Sequence, residues 1–194
     1  MSNSSIERSD VGILLIDAQP RFWEEMDGPQ KPVLVRIEHL LILADWFELP
    51  LIATFEHKVE AKGILPERLE QVFPSQGQRF VKGMFNCCAE RDIRKAIKEL
   101  SVQQFVVAGA ETDVCVLQSV LGLLEMGYQV FLLEDCLFTS EPTPGPALER
   151  MYQAGAIPCT LKTLVYELTQ CVECPHWPKN FRPPESFPPW HSKR

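Results

Sequence analysis

The chain lacks an excess of basic residues and lacks any long uninterrupted apolar stretch. Lys and Arg together number 19 against 26 Asp and Glu, which gives a formal net charge of −7. Without a basic patch to neutralise phosphates, we expect no nucleic-acid partner. The longest apolar stretch, residues 39–55, is broken by Asp45, Glu48 and Pro50. The sequence therefore predicts no membrane-spanning segment.

Two further absences bear on the compartment in which the protein works. Residues 1–10 are polar and contain no apolar core of the kind found in secretory signals. The seven cysteines are odd in number and irregularly spaced, so they do not form the framework of a disulfide-rich secreted domain. We therefore expect a reducing, cytoplasmic location.

Short apolar runs alternate with amphipathic segments along most of the chain, which predicts an α/β fold. We expect one domain over residues 1–170, a three-layer αβα sandwich around a mostly parallel, Rossmann-like sheet, followed by a tail at 171–194. The predicted strands are Val11–Ile16, Leu51–Phe55, Arg79–Val81, Phe105–Ala108, Val130–Leu133 and Ile157–Leu161. The predicted helices are centred on 37–44 and 93–100 and cover 114–126 and 146–154, with a short one near 67–72.

Cys115 lies where the fourth predicted strand turns into a helix. In open α/β sheets that point lies above the carboxyl end of a strand, where ligands bind. A thiol at a helix N-terminus is expected to have a lowered pKa and to react as a thiolate. Position alone is equally compatible with a small buried apolar residue, and it leaves both interpretations open.

Two charged residues follow other predicted strands. Asp17 comes directly after the first strand, and Lys82 comes directly after the third, between Phe80-Val81 and Gly83-Met84-Phe85. Asp17 could accept the proton of a nearby thiol, and Lys82 could hold Asp17 charged and stabilise a thiolate. Their simpler interpretations are a turn residue for Asp17 and a solvated surface charge for Lys82.

Three motifs together resemble the isochorismatase-like cysteine hydrolases. The segment Gly109-x-x-Thr112-x-x-Cys115-Val116 is similar to the nucleophile segment of that family. Asp17-Ala-Gln19, followed by Phe22, is similar to its Asp-x-Gln motif, and Lys82 followed by Phe85 is similar to its Lys segment. The nucleophile segment most resembles the isochorismatase-domain-containing subgroup.

This resemblance implies a hydrolase with a catalytic triad of Asp17, Lys82 and Cys115. It implies cleavage of a small-molecule C–N bond of amide or ureide type, or of a related ester, through an acyl-enzyme. The backbone N–H groups of Glu111 and Cys115 would form the oxyanion hole, next to a cis Ala110–Glu111 peptide bond. Members of the family are commonly homo-oligomers, and we expect the same here.

The substrate pocket has five further candidates, and Glu111 could disfavour anionic substrates or simply face solvent. The pocket candidates are Gln19, Phe22, Trp23, Phe85 and Thr112. No cofactor or metal is expected. The family's nicotinamidases carry Asp and His metal ligands after the second strand, where this chain has Glu56-His57.

Two other classes of function remain open from the sequence. The fold could serve as a non-catalytic binding or scaffold protein, or Cys87-Cys88 or Cys171 and Cys174 could make it a thiol redox protein. Cys171-x-x-Cys174 with His176 also suggests zinc, but a second ligand pair at suitable spacing is missing. We expect the Pro- and aromatic-rich tail to wrap over its own subunit or a neighbouring one.

Overall fold

The computed structural model describes residues 5–170, and its centre is a six-stranded parallel sheet. The strands lie in the order β3-β2-β1-β4-β5-β6. Their bounds are β1 Val11–Ile16, β2 Leu51–Glu56, β3 Gln78–Lys82, β4 Gln104–Gly109, β5 Gln129–Leu137 and β6 Ile157–Cys159. Every pair of neighbouring strands is parallel. The predicted α/β class is confirmed.

Eight α-helices connect and cover the strands of this region. They are α1 Pro20–Glu25, α2 Gln30–Trp46, α3 Val59–Lys62, α4 Glu67–Glu70, α5 Arg91–Glu99, α6 Leu117–Glu125, α7 Gly145–Gln153 and α8 Leu161–Thr169. A 3₁₀ turn covers Cys87–Ala89, and a π-turn covers Thr112–Val116. None of the helices within residues 5–170 is long and apolar enough to cross a membrane.

The sheet is covered by helices on both faces, as expected for continuous apolar strands. In β1, Ile13 and Leu15 join a core that includes residues of α2 and α8. Leu14 and Ile16 point the other way, into a core that includes residues of α5, α6 and α7. This alternation, two residues per repeat, is why the whole of β1 is buried and apolar. The three layers of the predicted sandwich are therefore present.

The strand order reverses between β1 and β4, and the ends of these two strands meet closely. Gly109, the last residue of β4, pairs with Ile16 and has φ +114°. A Cβ atom at Gly109 would stand 1.9 Å from the backbone oxygen of Ile16. Only glycine allows this approach, and it brings the segments after β1 and β4 to one crevice, where open parallel sheets bind ligands.

Several predicted bounds were wrong. The last strand ends at Cys159, because the Thr160 side chain accepts a hydrogen bond from the Thr163 N–H and starts α8, which we had not predicted. The short helices α1 and α3 were also missed. The predicted helix 114–126 begins as a π-turn, and its α-helical part starts only at Leu117. The tail 171–194 lies outside the described residues, so its separate role stays a prediction.

Candidate active site

Asp17 lies directly after β1 and is held by the neighbouring strand β2. Its backbone has φ 45°, a conformation that turns the chain sharply at the strand end. Its N–H donates to the Thr54 carbonyl at 3.0 Å, and Thr54 Oγ1 donates to Asp17 Oδ1 at 2.9 Å. The side chain of Asp17 is completely buried. The carboxylate is therefore fixed on one side, with Oδ2 turned toward Lys82.

Lys82 ends β3 and is one of the largest fully buried side chains among residues 5–170. Its Nζ lies 2.6 Å from Asp17 Oδ2 and donates to Cys115 Sγ at 3.3 Å. A buried ammonium is costly unless it has a charged or hydrogen-bonding partner. Here Lys82 has both, so it links the carboxylate and the sulfur into one buried unit.

Cys115 lies within the π-turn that leads into α6, and it is 2% exposed. Its Sγ also lies 3.8 Å from Glu56 Oε2. The sulfur thus has an ammonium on one side and a carboxylate on another. The fold brings Asp17, Lys82 and Cys115 from three different strand ends to one point.

Burial sets the protonation of this cluster. It raises the pKa of the Asp17 carboxyl, and the Lys82 ammonium offsets that rise only in part. Burial acts to lower the pKa of Lys82, but the negative charge of Asp17 and the Cys115 sulfur raise it by more, so the net direction is upward. Lys82 therefore stays charged, and Asp17 becomes a stronger base than an exposed carboxylate.

The expected lowering of the Cys115 pKa was wrong. Burial and the charge of Asp17 raise the pKa of the thiol well above its ordinary value, and Lys82 lowers it only partly. The helix dipole expected to favour the thiolate begins two residues later, at Leu117. The resting group is therefore a thiol, and it needs a base before it can attack a carbon.

Three ligand-type atoms in the site are close enough to hold a metal ion. Asp17, Glu56 and Cys115 each offer one atom, all within 4.8 Å of one another. The Lys82 ammonium already contacts two of these residues, so a positive charge stands where a cation would bind. His57 is exposed and is not part of this group. The residues present do not fit the metal centre of the family's nicotinamidases.

Glu56 is the residue of this cluster that the sequence analysis gave no role. It ends β2 and pairs in register with Lys82 of β3. The sequence signal was available, because a carboxylate directly follows the predicted strand Leu51–Phe55. Its relation to Cys115 could not be seen, because it depends on how β2 lies between β1 and β3.

Two pocket candidates have structural partners within the protein. Gln19 is buried, and its Oε1 accepts the Glu56 N–H at 2.6 Å, while its Nε2 donates to the Gly63 carbonyl at 2.7 Å. Trp23 is buried, donates its indole N–H to the Ala18 carbonyl and stacks on Phe138. Both side chains are therefore bonded within the fold, and their place in a substrate pocket stays a prediction.

The other pocket candidates lie at different depths. Thr112 is buried and donates its hydroxyl to the Phe138 carbonyl at 3.2 Å. Phe22 is half-buried, with the Lys62 ammonium 5.6 Å from its ring centre. Phe85 is about half exposed. Of these three, Phe22 and Phe85 present ring surface that an incoming molecule could contact.

The Ala110–Glu111 peptide bond is cis, which confirms the expectation from the resemblance. The Glu111 carboxylate accepts hydrogen bonds from the Ser140 N–H at 3.0 Å and from the Ser140 hydroxyl at 2.6 Å. This side chain is therefore anchored to the loop after β5. Its backbone N–H donates to no acceptor among residues 5–170.

The other described cysteines form no disulfide. Cys87 and Cys88 are both buried free thiols, and the Cys87 N–H donates to the Ser119 hydroxyl at 3.0 Å. Burial of the pair does not favour rapid exchange with a redox partner. Cys171 and Cys174 lie outside the described residues.

The fold and the buried Asp-Lys-Cys cluster define a class, three-layer α/β proteins with a parallel sheet and a buried cysteine at a strand-to-helix turn. The sequence matches the isochorismatase domain over residues 12–163. The chain therefore belongs to the isochorismatase family of hydrolases.

Similar proteins include bacterial and animal members. "Probable hydrolase YcaC" of Escherichia coli is 32% identical over 157 residues, covering 78% of this chain and 74% of that protein. Isochorismatase domain-containing protein 2 of Xenopus laevis is 27% identical over 168 residues, covering 84% and 77%.

Two solved structures have closely similar folds. The E. coli YcaC structure, described as an octameric hydrolase of unknown specificity, has a TM-score of 0.82 at 29% identity, covering 88% of this chain and 85% of that one. YcaC from Pseudomonas aeruginosa, solved with hexane-2,5-diol and covalent acrylamide, has a TM-score of 0.82 at 28% identity, covering 88% and 86%.

Proposed function

We propose that the protein is a cysteine hydrolase that cleaves a C–N bond in a small amide or ureide, or the related C–O bond of an ester, through an acyl-enzyme. The observation that carries this proposal is the contact of one buried ammonium, Lys82, with both a base and a nucleophile. Lys82 Nζ lies 2.6 Å from Asp17 Oδ2 and 3.3 Å from Cys115 Sγ.

In the first half of the reaction, Asp17 accepts the proton of the Cys115 thiol while the sulfur attacks the carbonyl carbon. The S–C bond forms and the carbonyl becomes an oxyanion. When the tetrahedral intermediate collapses, Asp17 gives the proton to the leaving nitrogen and the C–N bond breaks. Burial raises the pKa of Asp17, which suits a group that must accept and return one proton.

In the second half, a water molecule attacks the thioester while Asp17 accepts one of its protons. The S–C bond then breaks, the carboxylic product leaves, and the proton returns from Asp17 to the sulfur. Lys82 keeps its charge throughout and stabilises the sulfur whenever it becomes negative. No step needs a metal or an organic cofactor.

The oxyanion would be bound by the backbone N–H groups of Glu111 and Cys115. The Glu111 N–H supports this assignment, because it has no acceptor among residues 5–170. The cis bond before Glu111 sets the direction of that N–H group. Preorganised donors of this kind stabilise a tetrahedral intermediate without rearranging.

A panel of small amides, ureides and esters tests the proposal. Wild-type protein should release product from at least one compound, and Cys115→Ala should abolish that release while remaining folded. Cys159→Ala is the matched control, because Cys159 is also a buried free thiol but lies in β6 at the far edge of the sheet. Equal rates per folded molecule for wild type and Cys115→Ala would overturn the assignment.

We also propose that the protein forms a homo-oligomer, as is described for E. coli YcaC. Three apolar side chains near the edge strand β3 support this proposal. Val81, Met84 and Phe85 are 54%, 55% and 49% exposed. Light scattering at micromolar concentration should give a mass several times that of the chain, and a monomer would contradict the proposal.

A further inference from the structure

Glu56 places a second carboxylate beside the nucleophile, and the reaction proposed above does not use it. Its Oε2 lies 3.8 Å from Cys115 Sγ, while its Oε1 is ion-paired with Lys62. The Glu56 side chain is 20% exposed, whereas those of Asp17 and Lys82 are not exposed at all. Glu56 is therefore the most exposed side chain of the cluster.

The position of Glu56 is fixed by its backbone. Gln19 accepts its N–H at 2.6 Å and donates to its carbonyl at 3.3 Å, so one buried amide clamps both polar groups of the residue. The register of β2 with β3 places Glu56 directly beside Lys82. These bonds fix the point from which the Glu56 side chain extends, and the ion pair with Lys62 holds one of its carboxylate oxygens.

On the more exposed side of the cluster, Glu56 carries a negative charge and Lys62 a positive one. Lys62 pairs with Glu56 Oε1 and also lies 5.6 Å from the Phe22 ring centre. It thus occupies one oxygen and leaves Oε2 directed at the sulfur. A molecule whose carbonyl carbon reaches Cys115 Sγ therefore comes close to this oxygen.

We propose that Glu56 determines substrate specificity, by accepting a hydrogen bond from an N–H group next to the scissile carbonyl and by repelling a carboxylate at that place. This inference rests on the proposed function and deepens it. The substrate class is then a neutral or cationic amide or ureide with an N–H donor on the acyl side. Substrates with a carboxylate next to the reacting carbonyl are disfavoured, because that carboxylate and the Glu56 carboxylate would repel each other at close range in a partly buried site.

The test uses a pair of thiol reagents that differ in charge, iodoacetamide and iodoacetate. The rate of alkylation at Cys115 is followed by peptide mapping at one mildly alkaline pH. The rate with iodoacetamide is divided by the rate with iodoacetate, and this ratio is then divided by the same ratio for glutathione, which corrects for the intrinsic reactivity of the two reagents. Glu56→Gln keeps the size of the side chain and an acceptor for Lys62, and it removes the charge. We expect it to lower the ratio roughly tenfold relative to wild type.

Two further variants sharpen this measurement. Glu60→Gln makes the same charge change on an exposed residue of α3 and should leave the ratio at the wild-type value. Lys62→Met removes the partner of Glu56 and should move the ratio in the opposite direction from Glu56→Gln. Thermal melting of each variant establishes that it is folded.

The outcomes separate this inference from the proposed function. If Cys115 reacts but Glu56→Gln and wild type have the same ratio, the specificity role of Glu56 is wrong and the hydrolase proposal stands. If Cys115 reacts with neither reagent in the folded wild-type protein, Cys115 is not an accessible nucleophile, and the proposed function is wrong as well.

Discussion

The Lys82 ammonium lies 2.6 Å from Asp17 Oδ2, and the side chains of both residues have no solvent exposure. Thr54 donates a hydrogen bond to the other carboxylate oxygen, so both oxygens of Asp17 have a partner. A buried pair contributes little net stability, but removing one partner leaves an uncompensated charge. Replacing either residue should therefore lower the stability of the fold as well as change the site.

Lys82→Met should destabilise the protein strongly. The variant keeps the apolar stem and leaves the buried Asp17 carboxylate without its partner, at a cost of about 3–5 kcal/mol. Urea unfolding at neutral pH measures the change. Lys95→Met is the control, because Lys95 is exposed and forms only a surface pair with Glu99, so its free energy of unfolding should change by about 0.5 kcal/mol or less.

The pH dependence of stability should reveal the protonated Cys115 thiol. Its pKa in the folded protein is raised above the ordinary value of 9.0, so above that pH the unfolded chain loses a proton that the folded protein keeps. The contribution is fully present below pH 9.0 and is lost as the pH rises toward the folded pKa. For this one group the slope approaches about −1.4 kcal/mol per pH unit once the thiol of the unfolded chain is almost fully ionised, roughly one pH unit above 9.0.

Urea unfolding of wild type and Cys115→Ala under reducing conditions, followed from pH 9.0 to roughly one and a half units above it, measures this slope. The free energy of unfolding of the wild-type protein should fall faster with rising pH than that of Cys115→Ala, and the difference in slope should approach the value for one proton, about 1.4 kcal/mol per pH unit. Identical slopes would mean that the folded protein does not raise the pKa of this thiol.

Gly109→Ala should prevent folding or destabilise the protein severely. The new Cβ would meet the Ile16 backbone oxygen at 1.9 Å, and backbone atoms at the end of β1 cannot move aside without disturbing Asp17. Gly127→Ala is the matched control, because Gly127 also has a positive φ, +90°, but nothing lies within 4 Å of its added Cβ. That control should cost about 1 kcal/mol, measured by the same unfolding experiment.

Activity should be independent of bound metal. Lys82 places a positive charge between Asp17 and Cys115, so a divalent cation has to displace it to use the oxygen and sulfur atoms of the cluster. Extensive treatment with a chelator should leave the rate on any hydrolysed substrate unchanged. Stoichiometric zinc in purified active protein, together with loss of the rate on its removal, would contradict this expectation.

The sequence predicted the site to the extent that local patterns define it. Val11–Ile16 and Phe105–Ala108 are continuous apolar runs, so they identify two central strands. Asp17 is the residue after the first run, and Cys115 lies in the turn segment after the second. Lys82 follows a short predicted strand that is not a continuous apolar run, and its role was implied by the resemblance to the family together with its apolar neighbours. The parallel arrangement then implies that residues after such strands meet at one edge of the sheet.

What the sequence could not predict depends on packing between distant segments. The raised pKa of Cys115 is a consequence of burial and of Asp17, and neither can be read from residues near position 115. The role of Gln19 as a clamp on Glu56 spans two strand ends. The helix α8 is different, because Leu161, Leu164, Val165 and Leu168 have clear helical spacing and the prediction missed it. Roles of the tail and a cytoplasmic location stay predictions.

The most direct test of the account is the rate per folded molecule of Asp17→Asn on any substrate that the wild-type protein hydrolyses. Asparagine keeps the size of the side chain and can still accept the hydrogen bond from Thr54, but it cannot take the thiol proton. Because the resting sulfur is protonated, we expect the rate to fall by about 10²–10⁴-fold, with Cys115→Ala inactive and Cys159→Ala near wild type. If Asp17→Asn retains near-normal turnover, Asp17 is not the base, and the Asp17-Lys82-Cys115 mechanism is wrong.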